Sequence, residues 1–246
     1  MRNKLLVLPL FLVMTTGLCW AGDPTVDAQT TAGIESRLEH AKVLRHGDVQ
    51  VTYSNGVATL SGTVDNLATR LDAEKAARKT PGVTSVVDNI QVRASGVTEK
   101  EMLDKARHEI VTYYAYGIFD NITLEADGDR LVVGGQVTMP FKKDDIGNLL
   151  ARVNGVAALE NKLEVLPLSN FDDRLRLQVA RAIYGDPFFI HYRVQALPPI
   201  HIIVKDGHVT LEGAVASTLD RTKADLAARG AGLSFSVTDN LRVVNS

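Results

Sequence analysis

The chain has 246 residues, 45% of them hydrophobic, and its 27 Lys and Arg against 29 Asp and Glu leave it near neutral. That balance argues against nucleic acid as a partner, because no stretch supplies the basic footprint that phosphate binding needs. The one cysteine, Cys19, lies so near the start that a chain losing its first 21 residues has no disulfide, thiol chemistry or cysteine-held metal.

In chain order, Arg2 and Lys4 precede an apolar run from Leu5 to Val13, and Cys19-Trp20-Ala21 places small residues before a cut after Ala21. These are the features of a secretory signal peptide over 1–21, and the predicted location is the periplasm. A lipid anchor on Cys19 is the rival, opposed by Leu18 where a small residue is expected. A short helix is predicted over about 30–44, from Ile34, Leu38, Ala41 and Val43. Val49 to Val64, VQVTYSNGVATLSGTV, alternates on both sides of Asn-Gly and reads as a β-hairpin. An amphipathic helix follows over 66–80, stopped at Pro81-Gly82, and a strand over 83–92.

The order then recurs. Thr98 and Glu101 form a capping box for a helix to about Tyr114. The hairpin Asn121 to Val137 follows, with Gly128 to Gly135 giving it one extra residue, then a helix over about 142–153. A third copy begins its helix after Asn170, forms its hairpin over His201 to Val215 and its second helix over about 217–228. Ala73, Ala76 and Ala77 correspond to Ile146, Leu149 and Leu150 and to Ala224, Ala227 and Ala228. Twenty residues after Gly62, Gly135 and Gly213 stand Gly82, Gly155 and Leu233, each opening a closing strand. Together with the turn residues Gly56 and Gly207, these glycines are predicted to hold the repeat together. A period of about 70–80 residues describes an array of small domains, here 27–94, 98–166 and 168–246. Their basic against acidic counts are 8 and 8, 8 and 12, and 9 and 8. Short links at 94–97 and 167–169 predict contact between neighbours.

The hairpin NGVATLSGTV, the closing GVTSVVDNIQV and their spacing resemble the BON domain of bacterial osmotically inducible and nodulation proteins. The matching positions are Asn55-Gly56-Val57, Gly62, Gly82-Val83, Asn89, Gly207, Gly213, Asp239 and Asn240; Leu233 departs from the pattern. The resemblance implies an α+β fold of three tandem αββαβ domains, each a three-stranded mixed sheet with two helices on one face. It also implies an envelope location and binding to phospholipid surfaces, in envelope maintenance or stress.

No constellation of an enzyme is present, whether nucleophile elbow, phosphate-binding glycine loop or His-Glu-x-x-His, so no catalytic residue, cofactor or metal is expected. His201 and His208, on opposite hairpin arms, are a weak pair for a metal, and Asp144-Asp145 and Asp172-Asp173 read as helix-start acids. What stands out is aromatic clustering between first helix and hairpin: Tyr113, Tyr114, Tyr116 and Phe119 in copy two, and Tyr184, Phe188, Phe189 and Tyr192 in copy three. Copy one has Val43 to Asp48 there, with no Phe, Tyr or Trp. Two readings stand. The rings fill gaps between helix, sheet and neighbouring copies, or Tyr113, Tyr116, Phe119, Phe188, Phe189 and Tyr192 form a contact surface for a membrane or partner. The rival to lipid is a protein-interaction or chaperone-like module docking to an outer-membrane or cell-wall assembly.

Overall fold

The computed structural model describes residues 24–232 and 234–244. The expected leader and Leu233 lie outside the described residues. The first unit runs α1 (Pro24–His40), β1 (Gly47–Ser54), β2 (Val57–Val64), α2 (Leu67–Arg78), β3 (Ser85–Val92). The second runs α3 (Glu99–Thr112), β4 (Asn121–Asp127), β5 (Arg130–Val137), α4 (Pro140–Leu150), β6 (Ala158–Asn161), β7 (Glu164–Val165). The third runs α5 (Asn170–Tyr184), α6 (Ile190–Arg193), β8 (Ile200–Lys205), β9 (His208–Val215), α7 (Thr218–Gly230), β10 (Ser236–Asp239), β11 (Arg242–Val243).

Each unit has its own mixed sheet. The hairpin partners β1–β2, β4–β5 and β8–β9 are antiparallel, and the closing strands β3, β6 with β7, and β10 with β11 lie parallel to β2, β5 and β9. The fold is α+β, with a separate apolar core under each sheet. In units two and three the closing strand is split in two, where the expectation was one strand. At the same place in all three units Asp88, Asn161 and Asp239 take the N–H two residues on, from Ile90, Leu163 and Leu241, at 2.9, 3.1 and 2.9 Å. This side-chain bond competes with the ladder, yet in unit one β3 runs unbroken through it, so the bond alone does not split the strand.

Local chemistry sets the helix starts. Asn66, Thr98, Ser169 and Ser217 each accept a first-turn N–H, and Thr98 with Glu101 closes its capping box. α4 instead starts on Pro140, two residues before the expected 142, because a proline at the first helical position gives up an N–H that would be unpaired anyway. Asp144 and Asp145 therefore fall beyond the first turn and do not start the helix. Asp172 is in the first turn of α5, and its buried carboxylate also takes the N–H groups of Asp206 and Gly207 at 3.0 and 2.9 Å, tying helix to hairpin tip.

The hairpins are of equal build. Ser54–Val57, Asp127–Arg130 and Lys205–His208 each close a two-residue turn. The second hairpin has no extra residue; Gly128 is first in its turn, whereas Gly56 and Gly207 are second. Six residues beyond the second turn position, Gly62, Gly135 and Gly213 sit at φ of 127°, 109° and 114°. A Cβ there would stand 2.0, 2.1 and 2.0 Å from the carbonyl oxygens of Asp48, Asn121 and Pro199. No side chain fits that approach, so glycine is dictated by the facing backbone.

The units touch. Leu67 of α2 and Val92 of β3 pack into the second core, and the Ala68 N–H donates to the Ala151 carbonyl at 2.9 Å. The start of α2 thus meets the end of α4, opposite poles of two helix dipoles. Among the described residues no helix is long and apolar enough to cross a membrane.

Candidate functional site

The loops from first helix to hairpin cross the open end of each sandwich, where helix and sheet diverge and a gap must be filled. In unit one the buried Val43 fills it. In unit two Tyr113 is buried and its hydroxyl donates to Asp145 at 2.6 Å; burial, then the Asp145 bond, holds its pKa well above the usual phenol value. In unit three Tyr192 does the same for the buried Asp220 at 2.8 Å, while its hydroxyl accepts the Ala216 N–H at 2.6 Å. Phe189 is 0% exposed and belongs to the third core.

Three of the six expected contact rings, Tyr113, Phe189 and Tyr192, are therefore buried and offer no surface to a membrane or partner in this conformation. The other three are half-buried. Phe188 lies beneath the Lys223 ammonium, 4.5 Å from the ring centre. Phe119, with Ile118, packs on the core of unit three, and Tyr116 stacks on His201 with ring centres 5.6 Å apart. Burial pushes the Tyr116 hydroxyl up to about 12. Tyr114, outside the expected set, is 86% exposed.

Unit two thus plugs into unit three. The joint turns on Asp120, whose buried carboxylate takes the N–H groups of Gly117 and Thr138 at 3.1 and 2.9 Å and the Lys142 ammonium at 2.7 Å. The Asp120 carbonyl lies 2.6 Å from His201 Nδ1, which must carry a proton to bond there. Burial holds the His201 pKa below its ordinary value. The Ile118 carbonyl receives the Ile202 N–H at 2.7 Å.

His201 does not face His208. It is paired in register with Glu212, while His208 is paired with Lys205 and has Nδ1 2.7 Å from the Ser236 hydroxyl. Among the described residues no three His, Cys, Asp or Glu side chains gather as a metal site. The joint did leave a trace in the sequence. The stretch Ile200 to Val204 is buried on both faces, whereas β1 and β4 alternate. A strand covered on both sides reads as a continuous apolar run.

Two features bear on binding. One is a cleft of about 450 Å³ between units two and three, walled by Arg107 and Val111 of α3, the outer edge of β4, and Leu197, His201 and Arg242 of unit three. The other is a set of exposed apolar side chains on unit three: Ile190 and Val194 at 45% and 72%, and Leu219 and Leu226 of α7 at 56% and 62%. Leu219, Lys223 and Leu226 lie on one helical stripe, and the Lys223–Phe188 contact joins it to the turn that precedes α6.

Among solved structures, the chain is similar to the C-terminal domain of CdsD, a structural protein of the type III secretion system of Chlamydia trachomatis. Identity is 14%, TM-score 0.26, and the match covers 85% of this chain and 96% of that one. It is similar also to the PrgH periplasmic domain, at 15% identity and TM-score 0.22, covering 83% and 99%. Likenesses this low do not bear on what the chain does. No curated protein matches it. The family model for the BON domain matches residues 26–94 and 172–245, the first and third of the αββαβ units. With hairpin, positive-φ strand glycine and closing strand in place at both ends of that span, the chain belongs to the BON domain family.

Proposed function

We propose that the protein is a non-enzymatic binding protein of the bacterial envelope, built of three BON domains at 27–94, 98–166 and 168–246, whose third domain rests on a phospholipid membrane surface. The middle unit is read as a divergent copy because it repeats the positive-φ strand glycine and closing-strand bond of its neighbours, at Gly135 and Asn161. The leader over 1–21 accounts for export to the periplasm. The observation that carries the membrane reading is the exposed stripe of α7, where Leu219 and Leu226 flank Lys223, whose ammonium lies over Phe188, with Ile190 and Val194 exposed just beyond that ring in the chain. Apolar side chains ringed by a basic group suit the boundary between headgroup and acyl chain. Phe188 adds a partly covered ring; the buried Tyr113, Phe189 and Tyr192 serve as packing, and Tyr116 and Phe119 as the joint between domains two and three.

The test is flotation with vesicles of phosphatidylethanolamine and phosphatidylglycerol. The protein is expected to co-float, and a Leu219→Glu, Leu226→Glu double variant to stay behind while retaining its thermal midpoint. Absence of flotation by the unaltered protein, or flotation indifferent to the two substitutions, would remove this reading.

A further inference from the structure

The outer edges of equivalent hairpin strands are treated differently in units two and three. On β8 four of the six main-chain groups that point away from β9 are engaged. The Ile200 N–H and carbonyl meet the Tyr184 hydroxyl at 3.0 and 2.6 Å, the Ile202 N–H meets Ile118, and the Val204 carbonyl accepts from Arg176 at 2.7 Å. On β4 the Asp127–Arg130 pair closes the turn, so alternation directs the groups of Ile122, Leu124 and Ala126 outward. The Tyr116 hydroxyl meets the Ile122 main chain, and Leu124 and Ala126 have no outward hydrogen bond among the described residues. An uncapped edge is a template for another strand.

This edge is not on open surface. Ile122, Thr123 and Leu124 line the cleft between units two and three, whose volume is in the range of sites that take short ligands. The opposite walls are apolar at Val111 and Leu197, and two guanidinium groups enter, from Arg107 and Arg242. Arg242 has no hydrogen bond or ion pair among the described residues, and Arg107 shares Asp104 with Lys100. The one carboxylate in the lining, Glu212, is bonded to Asn240 at 2.7 Å.

From this geometry we infer that the cleft is a peptide site: an extended segment of another protein adds as a strand to the outer edge of β4 and sets a carboxylate against Arg242 and Arg107. The strand edge requires an extended backbone, the apolar walls take alternate side chains, and the paired cations select an acidic end. A lipid tail would leave the Leu124 and Ala126 main-chain groups unpaired, which costs free energy once water is excluded.

The probe is the hexapeptide Val-Thr-Val-Thr-Val-Asp with a free C-terminus, followed by fluorescence anisotropy and by amide exchange in the purified protein. Saturable binding is expected, with exchange at Leu124 and Ala126 slowed at least roughly tenfold. Arg242→Glu and N-methylation of alternate peptide amides should each weaken binding by about tenfold or more, on the scale of one charge-assisted contact or a pair of strand bonds. Leu219→Glu, on the separate face of unit three, should leave peptide binding unchanged. Lack of saturable binding, or binding that leaves Leu124 and Ala126 exchange unaltered, overturns the inference. So does binding of anionic phosphatidylglycerol vesicles that Arg242→Glu abolishes while the peptide does not bind, which assigns the arginines to a lipid headgroup.

Discussion

The connecting loops of units two and three have similar aromatic content and opposite fates. Phe189 and Tyr192 turn inward and complete their own core. Phe119 and Tyr116 reach outward, one into the core of unit three and the other onto His201. The difference is what each loop finds in front of it. Unit two faces a strand that is apolar on both sides, and its loop covers that strand; the loop of unit three has no described unit beyond it and leaves Ile190 and Val194 exposed. A run of rings in a connection thus marks a gap to be filled, and the neighbour decides whether the gap lies within a unit or between two.

Substitutions can break this contrast. Phe189→Ala is expected to have the largest effect, about 3–5 kcal/mol, because an entire buried ring is removed from a core unable to collapse on it. Denaturant unfolding should show the loss in unit three. Asp120→Ala should cost about 3 kcal/mol, since Lys142, only 12% exposed, is left without its partner. That loss should appear in unit two and also release unit three, read as faster amide exchange at Ile202.

The joint should respond to acid. His201 has a folded pKa depressed by burial, so its neutral form stabilises the joint above the ordinary value of 6.5, and the benefit is lost as pH falls from there through the folded pKa. Asp120 and Glu212 are the acidic groups facing it. The thermal midpoint of unit three should drop below pH 6.5, and His201→Gln should flatten that profile.

Smaller effects sharpen the comparison. Tyr113→Phe removes one hydroxyl from an acid of the second helix, at a cost of about 1 kcal/mol, and Tyr192→Phe removes the same bond and also the acceptor of the Ala216 N–H, at a cost of about 2 kcal/mol. The larger loss for Tyr192 in urea titrations would show that the two loops share the acid bond and differ in the second one. Lys205→Ala removes an exposed link to Glu164 across the joint, and no change in the Ile202 exchange rate is expected.

The hairpins, the capped helix starts and the threefold order were legible in the sequence because each rests on local chemistry: alternation, a turn glycine, a side chain bonded three residues on. The strand glycines were legible too, as a repeated Gly-x-Val, although the carbonyl that forbids a side chain is reached only across the sheet. The apparent extra residue of the second hairpin was a misreading, because a glycine can serve at either turn position and its place alone does not count residues.

Which rings touch solvent, that Asp145 bonds Tyr113 rather than starting a helix, and that His201 meets Asp120 rather than His208 follow from residues 32 and 81 positions apart coming together. No local pattern encodes such meetings. By itself the sequence determined three sandwiches of similar plan, because short-range geometry forms each. Only the tertiary structure decided that the second helps cover the strand edge of the third while Leu124 and Ala126 on its own edge stay unpaired, because burial and edge pairing depend on which surfaces face one another.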